Sequence, residues 1–106
     1  MEAKKIKQRI KDILLGIEPE MQIYLYGSHA RGDFRADSDW DVLAISPRQE
    51  ITFEFEMKLR EPLMDLELES GAVISLLVYT KLDWNNKKES SPLFHNVVRE
   101  GLLLSE

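Results

Sequence analysis

The sequence contains no cysteine, which excludes disulfide bonds, thiolate metal sites and a cysteine nucleophile. It also lacks an uninterrupted apolar run of about 18 residues, and its charged, amphipathic first residues do not resemble a signal peptide. From these absences we expect a cytoplasmic protein with no membrane contact. Any bound metal ion must be held by oxygen or histidine ligands.

The chain is short and acidic. Its 106 residues have room for one domain, spanning residues 1–106, and 43% apolar content is sufficient for one core. A net charge of -5 disfavours duplex nucleic acid as a ligand, because that binding needs a clustered basic surface. Basic residues concentrate near the N-terminus and acidic residues in the middle of the chain. Each cluster is interpreted either as a solvated helix face or as a docking surface for a partner. The clusters are Lys4, Lys5, Lys7, Arg9 and Lys11, and Glu50, Glu54, Glu56, Glu61, Asp65, Glu67 and Glu69.

Apolar spacing and turn residues predict an α/β (α+β) domain. Helical periodicity predicts helices over residues 3–16 and 50–70, and Pro62 is expected to break or kink the second, or to start a further helix. Strands are predicted over residues 23–26, 40–45 and 72–79, the last one buried inside a sheet that helices cover. A short helix over residues 91–100 ends at Gly101, and residues 102–104 add an edge strand.

Asp39 and Asp41 lie two residues apart at the start of an apolar strand. Both carboxylates therefore point to one face, with α-carbons roughly 6 to 7 Å apart, while Trp40 points to the other face. Two carboxylates this close repel each other unless a cation neutralises them. The pair suits Mg²⁺, which takes one or two carboxylates and completes its shell with water and phosphates. A solvated strand entry is the alternative interpretation of an isolated pair.

Gly27 and Ser28 follow the first predicted strand. A glycine there lets the backbone approach a ligand closely, and the serine adds a hydroxyl and an amide that can bind phosphate oxygens. Together with the carboxylate pair, this turn indicates a site for a metal-bound nucleotide. Two rival motifs fail: Asp33 stands where a P-loop needs lysine, and Val42 replaces the turn glycine of an EF-hand.

The segment 27–32, Gly-Ser-His-Ala-Arg-Gly, followed by Ser-Asp-Trp-Asp at 38–41, resembles the signature of the DNA polymerase beta nucleotidyltransferase superfamily. In length the chain is most similar to its minimal nucleotidyltransferases. The resemblance implies a nucleotidyltransferase fold, a small mixed β-sheet packed with helices. Minimal members are often paired with a helical HEPN protein in toxin–antitoxin modules, and some transfer AMP to the toxin. The resemblance thus implies transfer of a nucleotidyl group from a nucleoside triphosphate, ATP in those members, to a hydroxyl on a partner.

The resemblance also implies residue roles. Gly27 and Ser28 would hold the terminal phosphates, and Asp39 and Asp41 would be the catalytic ligands of Mg²⁺, with a second ion arriving on the nucleotide. Arg31 would brace the loop or offset phosphate charge. His29 stands where the family often has another basic residue, and an exposed loop side chain is its alternative interpretation.

One position departs from the family pattern. Members usually carry a third carboxylate on the strand after the long helix, and here Ser75 stands in that place. A neutral hydroxyl is a poor base and a weak Mg²⁺ ligand. Glu67, Glu69 and Asp83 are the acids that could compensate. The sequence therefore leaves two main hypotheses, an active enzyme and a catalytically impaired antitoxin-type binding protein. An RNA-binding module is disfavoured by the acidic total and the lack of clustered aromatic residues.

Overall fold

The computed structural model describes residues 1–87 and 90–105. In chain order its elements are α1 (Ala3–Ile17), β1 (Gln22–Tyr26), α2 (Ser28–Arg31), β2 (Trp40–Ser46), α3 (Phe53–Ser70), β3 (Ile74–Thr80), α4 (Lys81–Lys87), α5 (Pro92–Glu100) and β4 (Leu102–Leu103). Of the described helices, none combines the length and apolarity that crossing a lipid bilayer requires.

The strands form one mixed sheet in the order β3-β2-β1-β4. β1 runs antiparallel to both β2 and β4, whereas β2 and β3 are parallel, with α3 as their connection. This architecture confirms the predicted α/β class and its small mixed sheet.

Helices cover both faces of the sheet. On one face α1 and α3 pack against alternate residues of β2, in a core that includes Trp40, Val42 and Ala44. On the other face Leu43 and Ile45 contact Trp84 of α4 and Val97 of α5 in a smaller core. Because successive strand residues point to opposite faces, Asp41 lies on the face of α4 and α5. The large core and the predicted site therefore lie on opposite faces of the sheet.

The long helix α3 runs unbroken from Phe53 to Ser70 with Pro62 inside it. The prediction that Pro62 breaks this helix or starts a second one is wrong. An interior proline costs about 3 kcal/mol, because it removes a backbone hydrogen bond and clashes with the preceding turn. Burying one large apolar side chain contributes about 1.5–3 kcal/mol. The buried stripe on both sides of Pro62 outweighs that cost; it consists of Phe55, Leu59, Leu63 and Leu66.

β3 is an edge strand, so the prediction that it lies inside the sheet is wrong. β4 pairs with β1 at the opposite edge, and Ser75 and Leu77 of β3 are exposed. Side chains from α3 cover part of the open edge. Arg60 Nη2 donates to the Leu76 carbonyl at 3.0 Å, and the Ile74 amide donates to Glu67 Oε2 at 2.9 Å.

The C-terminal elements bring the end of the chain back to the first strand. α5 and β4 agree with their predictions, and Tyr24 and Leu25 of β1 pair with Leu103 and Leu102. α4 was not predicted. It begins where the Thr80 hydroxyl accepts a hydrogen bond from the Asp83 amide at 3.0 Å, and it buries Trp84.

Candidate active site

The predicted carboxylate pair lies at the N-terminal end of β2. Asp41 is the second residue of β2, and Asp39 is the residue directly before the strand begins. The Trp40 amide donates to the Val73 carbonyl at 2.8 Å, which anchors this strand entry beside β3. Trp40 is buried in the core of α1 and α3, so its two acidic neighbours project to the opposite side. Asp39 is exposed and Asp41 is half-buried.

The surroundings of Asp41 disfavour its ionised form. Burial raises the pKa of its carboxyl, and the negative charge of Asp39 raises it further. The positive charges of His29 and Arg31 lower that pKa, but the net direction remains upward. A cation between the two acids would remove this repulsion.

Gly27 brings the predicted phosphate turn into contact with this acid. Its φ of 75° and ψ of -156° are conformations that glycine adopts readily and other residues rarely do. A β-carbon at this position would collide with Asp41 Oδ2 and lie 3.3 Å from Asp41 Cγ. Only a residue without a side chain fits here, because the turn and the carboxylate occupy adjoining space.

Ser28 begins the single helical turn α2. The amides of Ala30 and Arg31 both donate to the Gly27 carbonyl, at 3.1 and 3.0 Å, and Gly32 ends the turn in the left-handed region. The structure therefore brings Gly27, Ser28 and Asp41 together, with Asp39 next to them.

Arg31 is held by two acids. Its Nη1 atom lies 3.1 Å from Glu100 Oε1, and its Nε atom lies 3.2 Å from Asp33 Oδ2. Hydrogen bonds to Asp33 and then to Glu100 raise the pKa of the guanidinium. Arg31 thus links α2 to Asp33 in the following loop and to Glu100 at the end of α5.

Two further residues at the site were not indicated by the sequence. Glu100 Oε1 also accepts a hydrogen bond from the Gly27 amide at 3.2 Å. Tyr26 pairs with Asp41 across β1 and β2, and burial followed by the Asp41 charge raises its pKa to about 12. Tyr26 thus keeps its proton at neutral pH. No local pattern in the sequence connects Glu100 to a residue 73 positions earlier.

His29 is stacked between aromatic rings, so the interpretation as an exposed loop side chain is wrong. Its ring centroid lies 3.6 Å from that of Trp40 and 4.5 Å from that of Phe34. Its Nε2 atom lies 3.1 Å from the Ser38 carbonyl oxygen. Among the described residues, its buried Nδ1 atom has no hydrogen-bond partner. His29 therefore ties α2 to the loop that leads into Asp39.

Ser75 lies beside Asp41 in the register of β2 and β3. The acids considered as substitutes for a third carboxylate are engaged elsewhere: Glu67 accepts from the Ile74 amide, and Glu69 lies 3.1 Å from Arg9 Nη2. Within residues 1–87 and 90–105 no group of three or more His, Cys, Asp or Glu side chains could hold a metal ion, so Asp83 completes no such group. The site offers a carboxylate pair.

This donor set fits Mg²⁺. The ion accepts one or two carboxylates and takes its remaining ligands from water and substrate phosphates. Asp39 and Asp41 are the residues that would hold it. Burial and then the charge of Asp39 raise the pKa of Asp41, and a bound cation would offset the repulsion between the two acids.

The chain is similar to several known proteins. A provisionally named protein adenylyltransferase of Methanocaldococcus jannaschii is 34% identical over 83 residues, which cover 78% of this chain and 76% of that protein. The fold is similar to a toxin–antitoxin crystal structure with AMP-PNP, with a TM-score of 0.64, 21% identity, and coverage of 92% of this chain and 71% of that chain. A mutant of the MntA–HpeT toxin–antitoxin has a TM-score of 0.61, 18% identity, and coverage of 92% and 70%.

The similarity to these solved structures supports the fold alone, because their identity to this chain is low. The family assignment rests on the sequence. Residues 3–96 match the family model described as the nucleotidyltransferase domain, which confirms the resemblance inferred from the Gly-Ser and Asp-x-Asp motifs. The protein is a member of the nucleotidyltransferase family.

Proposed function

We propose that this protein transfers a nucleotidyl group, AMP from Mg-ATP, to a hydroxyl group on a protein partner in the cytoplasm. The observation that carries the proposal is the contact between the Gly27 turn and the Asp41 carboxylate. A phosphate-binding turn against a metal-binding acid is the arrangement that a metal-bound triphosphate needs. The protein-adenylyltransferase name of the archaeal relative supports the choice of AMP and of a protein acceptor.

In this proposal each site residue has a defined role. Gly27 and Ser28 bind the terminal phosphates, and Arg31 offsets phosphate charge while it braces the turn. Asp39 and Asp41 hold Mg²⁺, which when bound would stabilise charge on the attacking and leaving oxygens. The acceptor oxygen attacks the α-phosphorus, the bond to the β-phosphate oxygen breaks, and pyrophosphate leaves. The proton of the acceptor passes to solvent, since Tyr26 is protonated at neutral pH and Ser75 is a poor base.

The proposed partner is a HEPN-type toxin. Two solved structures with a similar fold are described as toxin–antitoxin structures, and the resemblance to minimal nucleotidyltransferases implies a partner of this type. Transfer to a hydroxyl of the toxin would join the enzymatic and the antitoxin roles in one reaction.

A second candidate function is neutralisation of a partner by binding alone. Ser75 favours it, because the neighbour of Asp41 in the sheet is neutral and the described residues supply only a carboxylate pair. Two-metal chemistry with this donor set would depend more heavily on the substrate's own oxygens. The enzyme requires nucleotide binding, whereas a protein that neutralises its partner by contact alone does not, so binding and transfer need separate measurements.

Binding is tested by calorimetric titration of AMP-PNP with and without Mg²⁺. We expect Mg²⁺-dependent binding that Asp41→Asn weakens by at least about tenfold, as for loss of a charged ligand. Asp37→Asn, in the exposed loop before the pair, is the matched control and should bind as the wild type does. Absence of heat under both conditions would end the proposal of a nucleotide site.

Transfer is tested with α-labelled nucleoside triphosphates, Mg²⁺ or Mn²⁺, and the protein encoded next to this gene. Label on the partner that disappears in Asp39→Asn and Asp41→Asn, and persists in Asp37→Asn, supports the enzyme. Nucleotide binding without label transfer supports the binding protein.

A further inference from the structure

Glu100 makes contacts at both ends of the segment that carries the proposed phosphate site. Its Oε1 atom accepts from the Gly27 amide at 3.2 Å and lies 3.1 Å from Arg31 Nη1. Its second oxygen lies 3.2 Å from the same Arg31 atom. The Glu100 side chain is only 14% exposed. One carboxylate from the end of α5 therefore fixes the first and last residues of the Gly27–Arg31 turn.

The pairing of β4 with β1 explains why Glu100 reaches Gly27. Leu103 pairs with Tyr24 and Leu102 with Leu25 in antiparallel register. Two further steps in this register bring residue 100 opposite residue 27. Gly101 makes the exit from α5 tight: its amide donates to the Val97 carbonyl at 2.7 Å, and a β-carbon on Gly101 would collide with that oxygen. The position of Glu100 is thus set by the sheet and by the helix end together.

This contact has an electrostatic cost. The negative charge of Glu100 is one of the causes that raise the pKa of Asp41. An acid near a proposed triphosphate site also repels phosphate. Hydrogen bonds from the Gly27 amide and the Arg31 guanidinium to the mostly buried Glu100 carboxylate offset such repulsion. These hydrogen bonds stabilise the conformation of the Gly27 turn.

We infer that Glu100 is a positioning residue of the nucleotide site: its contacts with the Gly27 amide and with Arg31 hold the Gly27–Arg31 turn in the position that receives the phosphates. The inference rests on the proposed function, since it assigns Glu100 a task in the same site. Glu100 acts through Gly27 and Arg31 and does not itself contact the nucleotide.

Two substitutions at position 100 separate the contacts. Glu100→Gln retains an oxygen that accepts the Gly27 amide and loses the charge, whereas Glu100→Ala loses both. We expect the dissociation constant of Mg-AMP-PNP to rise about tenfold in Glu100→Ala, as for loss of one hydrogen bond to a charged group, and at most about threefold in Glu100→Gln. Glu69→Ala is the matched control, because it removes an acid and its ion pair with Arg9 far from the site, and its affinity should equal that of the wild type.

A second measurement needs no nucleotide. Hydrogen exchange of the Gly27 amide, followed by NMR, should accelerate about tenfold in Glu100→Ala and stay near the wild-type rate in Glu100→Gln. If Glu100→Ala does not fold, Glu100→Asp replaces it: the shorter side chain keeps the charge and loses reach, so we expect the same losses.

The outcomes distinguish this inference from the proposed function. Wild-type or tighter nucleotide binding by Glu100→Ala and Glu100→Asp overturns the positioning role and makes Glu100 a competitor of the phosphates. Unchanged Gly27 exchange in these variants overturns it as well. If the wild type binds no nucleotide while Glu100 still protects the Gly27 amide, the proposed function fails and the contact is purely structural.

Discussion

Ser75 lies directly beside Asp41 in the parallel pairing of β2 and β3, on the sheet face that carries the candidate site. Paired residues on neighbouring strands are about 4.8 Å apart and point to the same face. A carboxylate at position 75 would therefore extend the acid pair to a triad without any change of the backbone. β3 is an edge strand and Ser75 is exposed, so the larger side chain has room.

The first prediction is that Ser75→Asp raises nucleotidyl transfer to the partner by at least about tenfold, because the added acid completes a two-metal donor set. Initial rates with α-labelled ATP in Mg²⁺ and in Mn²⁺ measure the gain. Ser90→Asp, an exposed position outside the strands, is the matched control and should leave the rate unchanged. An equal rate in Ser75→Asp and the wild type would indicate that position 75 does not limit the reaction.

The second prediction concerns Gly27→Ala. The new β-carbon would force Asp41 aside and would hold alanine in a backbone conformation that is almost confined to glycine, which costs about 1–3 kcal/mol before the collision is counted. We expect lower thermal stability and at least about tenfold weaker binding of Mg-AMP-PNP. Gly16→Ala is the control, since nothing lies within 4 Å of its β-carbon inside α1, and it should stabilise by about 0.5–1 kcal/mol. Equal affinity in Gly27→Ala and the wild type would contradict the predicted role of the turn.

Local sequence patterns were sufficient for the part of the site that lies on contiguous segments. The spacing of Asp39 and Asp41 fixed their shared face, because a strand alternates its side chains regardless of its partners. Gly27 and Ser28 were located by the end of an apolar strand. The contact between the two segments was implied by the family signature; in the structure a β-carbon on Gly27 would collide with Asp41 Oδ2.

The rest depends on tertiary structure that no local pattern contains. Glu100 meets Gly27 through the β4 pairing, and β3 is an edge strand because no later strand joins it within the described residues. Pro62 predicted a helix boundary, yet the buried apolar stripe extends across it. In each case a contact between distant segments outweighed a local preference.

The third prediction is that Asp41→Asn stabilises the metal-free protein near neutral pH. The pKa of Asp41 is raised in the folded state, first by burial and then by Asp39, so its ionised form destabilises the fold above that pKa. The melting temperature of Asp41→Asn in the presence of a chelator should exceed that of the wild type by roughly a few degrees at pH 7. This gain should shrink as the pH falls through the folded pKa and vanish below the unfolded value near 4.

Asp37→Asn is the control for this titration, because Asp37 is exposed and none of the site contacts described above involves it. Its melting temperature should follow that of the wild type at every pH. A stability gain in Asp41→Asn that is independent of pH would contradict the electrostatic explanation.

The fourth prediction is that Pro62→Ala raises the free energy of unfolding by about 1–3 kcal/mol, because alanine restores a backbone donor within α3 and removes the ring clash. Urea denaturation measures the gain, and an unchanged m-value would show that the substitution changes stability and not the surface exposed on unfolding. Glu61→Ala, an exposed neighbour on the same helix, should change stability by no more than about 0.5 kcal/mol. α3 packs on the face of the sheet opposite Asp41, so the affinity for Mg-AMP-PNP should not change. A loss of affinity would mean that α3 is coupled to the site across the sheet. A loss of stability would mean that the backbone and packing of α3 around Pro62 are adapted to the proline ring.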